Sequence, residues 1–220
     1  MALRDHKVRH QSREHIARVA LFWWLIADRR GGNSFNICSF VLQVLAKRLR
    51  GKGKLQIEFY SPEDLPEGAC VTFNPLTLHI VKRIWDDAGA GETYARFIVA
   101  HEIGHILLHD GLAVAFSNDN EAVLKFVEEE ESAEAQANAF ADLFLAPDHV
   151  VLRLREQDTI AGLCVVSDAV AKRRLKDALA TKHPLFPQYT GDACDKCRSF
   201  TLLHIGVLLK CDECGDVTET

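Results

Sequence analysis

The chain has 220 residues, of which 48% are hydrophobic and 26% are charged, and its formal net charge is −5. These proportions are close to those of average globular proteins, so they exclude a fibrous or wholly disordered chain. The acidic balance argues against a general nucleic-acid coat or a protein that binds anionic membranes. The length fits one domain, or one domain with a small addition, which can bury a core without disulfides.

The most apolar run, residues 19–27, is far shorter than the roughly 20 residues that a membrane-spanning helix needs. The charged segment before it is too long and too mixed in sign for a secretory signal. The seven cysteines are an odd number, and four of them form two C-x-x-C pairs. In a reducing compartment this pattern is typical of metal binding. We therefore expect a cytoplasmic protein with no membrane segment.

Two amphipathic helices are predicted near the start of the chain, over residues 12–28 and 37–49, because apolar residues recur at spacings of three and four. The next part of the chain alternates apolar and polar residues between proline and glycine turns, which predicts strands. The predicted strands are residues 55–60, 69–73 and 77–81. We expect them to form a small, mostly antiparallel sheet.

The second half of the chain is predicted to be mainly helical, after a loop over residues 86–91. The predicted helices are residues 93–109, an acidic helix that begins near position 121 or 128 and ends at 145, and one or two short helices over residues 165–179. Helices packed on a small sheet make an α+β fold.

The sequence HEIGH at positions 101–105 matches the pattern H-E-x-x-H. Positions four apart lie on one face of a helix, so His101 and His105 can reach one metal ion, with Glu102 beside them. A catalytic zinc ion needs a third protein ligand and leaves one position for water. His109 is not that ligand, since three histidines spaced by four residues extend about 12 Å along a helix. We interpret His109 as a residue at the helix C-terminus, where a partial positive charge is favourable.

The predicted acidic helix offers Glu131 and Glu134 as candidates for the third ligand. Glu134 is flanked by alanines, where a carboxylate is costly unless it is paired or bound to a metal. Asn138 lies one turn beyond Glu134. It is either a residue that hydrogen-bonds a ligand and orients it or an ordinary residue of the helix surface.

Residues 96–109 and the sequence EAQANAFA at 134–141, followed by an apolar stretch and a proline, resemble the ImmA/IrrE family of metallo-endopeptidases. The resemblance covers roughly residues 55–179. It implies a zincin-like fold with a catalytic zinc held by His101, His105 and Glu134, and Glu102 as the general base. It also implies a protein substrate, a helix-turn-helix transcriptional repressor, whose cleavage switches gene expression in stress response or mobile-element control.

Residues 165–175 resemble the segment that follows the peptidase core in this family, with Ser167 as a helix N-cap. A recognition helix could use the basic residues here to contact DNA phosphates. However, the acidic chain lacks a broad basic footprint, so we favour a helix that packs or docks a partner over direct DNA binding. The basic residues are Lys172, Arg173, Arg174, Lys176 and Lys182.

The two C-x-x-C pairs, Cys194 with Cys197 and Cys211 with Cys214, predict a zinc ribbon. Four thiolates close the coordination shell, so this zinc would be structural. The remaining cysteines lie in apolar surroundings and are predicted to be small core residues.

We therefore predict a zincin-like metallopeptidase domain over residues 1–185 and a zinc ribbon over 190–220. The first contains a core at 54–160 and a helix-turn-helix-like segment at 163–182. The expected function is that of a zinc endopeptidase with one catalytic and one structural Zn²⁺. The alternative is a toxin–antitoxin component, or a regulator that binds DNA or a partner and retains the zincin fold. Candidates for stabilising the oxyanion, each more often structural, are Tyr60, Tyr94 and Arg96.

Overall fold

The computed structural model describes residues 8–27, 32–49, 54–109, 132–205 and 207–219. Helices and two small three-stranded sheets confirm the predicted α+β class. Within the described residues, no helix combines the length and the hydropathy that crossing a lipid bilayer requires.

The first helix, α1 (Arg13–Ile26), confirms the helix predicted over residues 12–28. Ser12 caps it, because its hydroxyl accepts a hydrogen bond from the amide of His15 at 3.2 Å. The apolar residues spaced by three and four, such as Ala20 and Trp24, are buried. This face packs on the helix that contains Glu134.

The second predicted helix, over residues 37–49, forms with a π-helical segment in its middle. Its parts are α2 (Ile37–Phe40), the π-helical residues Val41–Leu45 and α3 (Ala46–Arg48). Ile37, Val41 and Leu45 are fully buried. The apolar spacing therefore predicts where the helix lies but not its local widening, which requires an i→i+5 pattern.

The first sheet contains β1 (Gln56–Tyr60), β2 (Ala69–Phe73) and β3 (Leu76–Val81) in the order β1-β3-β2. β2 and β3 are antiparallel, whereas β1 pairs with β3 in parallel. The expectation of a mostly antiparallel sheet is corrected here, since only one of its two pairings is antiparallel. Alternation of apolar residues identifies a strand but carries no information about the direction of its neighbour.

The helix α4 (Lys82–Ala90) covers most of the segment 86–91, so the loop predicted there was wrong. Trp85 and Ala88 are buried one helical turn apart, and this packing outweighs the weak helix propensity of the aspartates and glycine. The helix ends at Gly91, whose φ of 94° is left-handed.

The helix α5 (Thr93–Leu108) carries HEIGH and crosses α6 (Ala133–Leu145) at Gly104. A Cβ atom on Gly104 would lie 3.1 Å from both the Cα and the carbonyl oxygen of Ala137, so the glycine lets the two backbones approach. This contact places the histidines of α5 opposite Glu134. The predicted start of the acidic helix, near 121 or 128, lies outside the described residues.

Three further helices follow α6 in the part of the chain that the structure describes: α7 (Asp148–Leu154), α8 (Gln157–Cys164) and α9 (Asp168–Ala180). Ser167 caps α9 as predicted, accepting from the amide of Val170 at 3.3 Å. Arg174 of α9 is 1% exposed and donates to Asp148 and to the carbonyl oxygen of Ala146. These bonds fix α9 to the rest of the fold.

The second sheet is antiparallel, and Lys210 joins it to α1. Its strands, in the order β4-β5-β6, are β4 (Leu202–Ile205), β5 (Leu208–Cys211) and β6 (Val217–Glu219). Lys210 is 5% exposed, and its Nζ donates to the carbonyl oxygens of Leu25, at 2.7 Å, and Ala27. A cation at the C-terminus of a helix is electrostatically favourable. The sheet is therefore anchored to the end of α1.

Candidate metal centres

The structure brings His101, His105 and Glu134 together between α5 and α6. The Nε2 atoms of the two histidines are 2.9 Å apart. The carboxylate of Glu134 lies 3.1 Å from Nε2 of His101 and 3.4 Å from Nε2 of His105. The three residues thus present their ligand atoms to one point.

This geometry fits a zinc ion. A tetrahedral ion with bonds of about 2.0–2.1 Å to nitrogen and oxygen needs ligand atoms about 3.3–3.4 Å apart. The observed separations of 2.9, 3.1 and 3.4 Å are close to that spacing. Two imidazoles and one carboxylate are also a ligand set of catalytic zinc sites, which keep one position for water.

Asn138 orients His101. Its Oδ1 lies 2.9 Å from Nδ1 of His101. Because an amide oxygen only accepts, Nδ1 of His101 carries a proton, and Nε2 is the nitrogen that would bind a metal ion. Of the two roles considered for Asn138, the contact supports the orienting one.

The electrostatics of this cluster favour a cation. Hydrogen bonds from His101 and His105 hold the pKa of Glu134 far below its usual value, although burial opposes this. Burial works against protonation of His101, but the hydrogen bond and charge of Glu134, the charge of Glu102 and the contact with Asn138 outweigh it. The pKa of His101 is therefore raised. Both shifts share one cause, the pairing of the Glu134 carboxylate with the imidazoles.

Glu102 is buried, with 6% of its surface exposed. Burial raises its pKa; the histidines oppose this shift, and the charge of Glu134 adds to it. Its charge also helps burial to raise the pKa of Cys70, which belongs to the edge strand β2. A carboxylate with a raised pKa is a stronger base than an ordinary one, which suits a general base.

The three candidate oxyanion donors, Tyr60, Tyr94 and Arg96, contact other parts of the fold or the solvent. Arg96 is 2% exposed and donates to the carbonyl oxygens of Phe35, at 2.6 Å, and Val165, at 3.1 Å, so it joins α5 to neighbouring loops. The hydroxyl of Tyr60 donates to Glu58 in its own strand, and Tyr94 is largely exposed. Glu131, the other candidate for the third ligand, lies outside the described residues.

Sequence reasoning missed one part of this site, a contact between His105, His109 and Gln136. His109 is the C-cap of α5, as its position suggested, but it is 4% exposed, and its Nδ1 lies 3.1 Å from Nδ1 of His105. Its Nε2 lies 3.2 Å from Oε1 of Gln136 on α6. The four-residue spacing of His105 and His109 could have indicated their contact from the sequence. No local sequence pattern indicated the contact with Gln136.

The four cysteines near the C-terminus also converge. Sulfur–sulfur distances are 3.7 Å between Cys194 and Cys214 and 3.5 Å between Cys197 and Cys211. Tetrahedral zinc with Zn–S bonds of about 2.3 Å requires sulfur atoms about 3.8 Å apart, so the cluster fits a zinc ribbon. Gly215, with φ at 74°, makes the tight turn after the second pair.

The basic cluster of α9 is only partly available to a ligand. Arg174 is buried against Asp148, and Arg173 forms a two-pronged ion pair with Asp142 through Nε and Nη2. This supports the packing interpretation of the helix. The lysines of the cluster are exposed, namely Lys172, Lys176 and Lys182.

Residues 75–176 match the family model described as Peptidase_M78, IrrE N-terminal-like domain. No curated protein and no solved structure matches the chain significantly. The matched segment contains HEIGH, Glu134 and Asn138, and it ends before the four cysteines. The match supports the resemblance to the ImmA/IrrE family and a metallopeptidase of the IrrE type.

Proposed function

We propose that this protein is a zinc-dependent endopeptidase that cleaves a protein substrate. The observation that carries the proposal is the convergence of His101, His105 and Glu134, with the buried Glu102 beside them, inside the segment that matches a peptidase family. A purely structural metal site has no need of a general base next to its ligands.

His101, His105 and Glu134 would hold the zinc ion, which when bound polarises a peptide carbonyl and acidifies a water molecule. Glu102 then accepts the proton of the attacking water and delivers it to the nitrogen of the leaving amine. Asn138 keeps the imidazole of His101 in the tautomer that leaves Nε2 unprotonated. The burial that raises the pKa of Glu102 assists the first proton transfer, in which Glu102 acts as the base.

A cavity of about 690 Å³ opens beside Asn138 and offers room for part of a substrate. Its lining includes Phe97, one turn before His101, and Arg173 of α9. We propose that a peptide enters along this side of α6. By the family resemblance, the substrate is a helix-turn-helix transcriptional repressor, whose cleavage serves stress response or mobile-element control.

The four cysteines are proposed to hold a second, structural zinc ion in a ribbon over residues 190–220, next to a peptidase domain over 1–185. Four thiolates leave no coordination position for a substrate. This centre therefore has no part in the chemistry, and its contribution is to the stability of the β4-β5-β6 sheet.

The proposal is tested by comparing newly formed protein N-termini in host cells that express the wild type or Glu102→Gln. Cleavage of one or a few regulators is expected with the wild type only, while both proteins contain zinc at both centres. Glu58→Gln is the matched control, because it makes the same chemical change on β1 and should retain cleavage. Cleavage by Glu102→Gln equal to that of the wild type would contradict the mechanism.

A regulator that acts by binding is the second candidate, and the exposed lysines of α9 are the observation that favours it. Such a protein would bind duplex DNA with an affinity that falls steeply as salt rises, because phosphate contacts release counterions. Salt-dependent DNA binding by Glu102→Gln, together with identical N-termini in both cell lines, would favour this candidate over the peptidase.

A further inference from the structure

A line of hydrogen bonds connects the candidate ligand His105 to the main chain near the start of the described residues. His105 and His109 meet through their Nδ1 atoms at 3.1 Å, and Nε2 of His109 lies 3.2 Å from Oε1 of Gln136. The Nε2 of Gln136 in turn donates to the carbonyl oxygen of Arg9 at 3.1 Å. His109 and Gln136 are 4% and 2% exposed, so the contact between them is buried, and the contacts at the two ends of the line are partly buried.

The carbonyl of Arg9 determines which atom donates and which accepts in each hydrogen bond of this line. A carbonyl oxygen only accepts, so Gln136 turns its amino group to Arg9 and its oxygen to His109. That oxygen also only accepts, so a neutral His109 carries its proton on Nε2 and accepts at Nδ1. His105 must then donate from Nδ1, so its Nε2 is the nitrogen that would bind a metal ion.

We propose that His109 and Gln136 are positioning residues that hold His105 in the tautomer and ring orientation required to bind a metal ion. The proposal rests on the proposed function, because it takes His105 as a ligand. Nδ1 of His101 contacts Asn138, whereas Nδ1 of His105 is linked through two side chains to a main-chain carbonyl. Arg9, which terminates the line, lies outside the segment that matches the peptidase family.

Variants at His109 and Gln136 distinguish the loss of the hydrogen bonds that orient His105 from the loss of side-chain packing. His109→Leu removes the acceptor for His105, whereas His109→Gln can still accept from His105 and donate to Gln136. Gln136→Met keeps the approximate volume of the side chain but loses its polar atoms. His79→Leu is the matched control, because His79 is a half-buried histidine on β3 that hydrogen-bonds two side chains of the sheet.

The first measurement is the tautomer of each histidine, from nitrogen-15 NMR of the full chain with the His–Glu centre free of metal and the four-cysteine centre loaded with zinc. We expect His105 to be protonated on Nδ1 and His109 on Nε2 in the wild type. In His109→Leu, His105 should become a mixture of tautomers, and His109→Gln should restore the single form. A proton on Nδ1 of His109, or a His105 tautomer unaffected by His109→Leu, would overturn the proposal.

The second measurement is zinc affinity at the His–Glu centre by chelator competition. Loss of a partner that orients a ligand weakens metal binding about 10–100-fold, which is the expectation for His109→Leu and Gln136→Met. His109→Gln should recover most of the affinity, and His79→Leu should match the wild type. Equal affinity of His109→Leu and the wild type, or an equal loss in His79→Leu, would contradict positioning.

The two proposals fail in distinguishable ways. A wild type that binds no zinc at His105, or that cleaves no protein, would defeat the proposed function, while the tautomers of the metal-free centre would still decide the role of His109. A wild type that binds zinc and cleaves, with His109→Leu indistinguishable from it in both measurements, would defeat only the positioning role.

Discussion

Gly104→Ala tests whether the close approach of α5 and α6 builds the candidate metal centre formed by His101, His105 and Glu134. The added methyl carbon would lie 3.1 Å from the Cα and the carbonyl oxygen of Ala137 and 3.2 Å from Cδ1 of Phe140. These separations are shorter than ordinary van der Waals contact between such atoms. Because two of the three atoms belong to the main chain, the helices must move apart by a few tenths of an ångström.

Two terms of opposite sign set the expected magnitude. Alanine in place of glycine stabilises a helix interior by about 1 kcal/mol, and overpacking a close contact costs about 1–3 kcal/mol. Gly104→Ala should therefore lower the free energy of unfolding by about 0–2 kcal/mol. Gly162→Ala in α8 is the matched control, since a Cβ atom there meets nothing within 4 Å. It should raise the free energy of unfolding by about 0.5–1 kcal/mol.

Urea denaturation followed by circular dichroism measures both variants against the wild type. Chelator competition then measures zinc affinity, which should fall in Gly104→Ala, because helix separation moves Glu134 away from the histidines. Gly162→Ala should bind zinc like the wild type. If both substitutions stabilise the protein equally, the close-packing argument is refuted. If Gly104→Ala loses stability but not affinity, the link from packing to the metal centre is refuted.

Three further predictions concern stability. Glu92 caps α5 by accepting from the amides of Ala95 and Tyr94, which lowers its pKa below the ordinary 4.5. Its charge therefore stabilises the fold fully above about pH 4.5 and less as the pH falls through the lowered pKa. The free energies of unfolding of wild type and Glu92→Gln should converge in acid, and a difference independent of pH would contradict this. Asp148→Asn leaves the buried Arg174 without its carboxylate and should cost about 3–5 kcal/mol in urea denaturation, whereas a loss under about 0.5 kcal/mol would contradict it. Lys210→Met leaves two carbonyl groups of α1 without their donor and should cost about 1–3 kcal/mol, seen also as faster amide exchange at the end of α1. Unchanged exchange there would show that Lys210 does not anchor the sheet.

The two histidines and the two cysteine pairs could be located from the sequence because the members of each pair lie within a single helix or turn. His101 and His105 are one helical turn apart, and the cysteines occur in pairs two residues apart. Pairing Glu134 with the histidines needed the family resemblance, since the spacing alone also allowed Glu131. Once α5 and α6 cross at Gly104, Glu134 faces both imidazoles.

The sequence predictions were wrong or incomplete where the local structure depends on residues far away in the chain. Residues 86–91 have the composition of a loop, yet the burial of Trp85 holds most of them in α4. The direction of β1 depends on its partner β3. The role of His109 depends on Gln136 and on a carbonyl at position 9, both far away in the sequence. Local spacing cannot encode such contacts.

The helix α1 and the residues just before it also form hydrogen bonds with residues far away in the sequence. The sequence identified it only as an amphipathic helix, and it lies outside the segment 75–176 that matches the peptidase family. Just before α1, the side chain of Gln11 donates to the carbonyl oxygen of Leu108 at the end of α5, and Arg9 accepts from Gln136. At its other end, α1 receives Lys210 from the sheet that carries the cysteines. The segment over residues 9–27, which contains α1, therefore contacts both candidate metal centres, and deleting it would remove the acceptor of Gln136 at one centre and the carbonyl groups that bind Lys210 at the other.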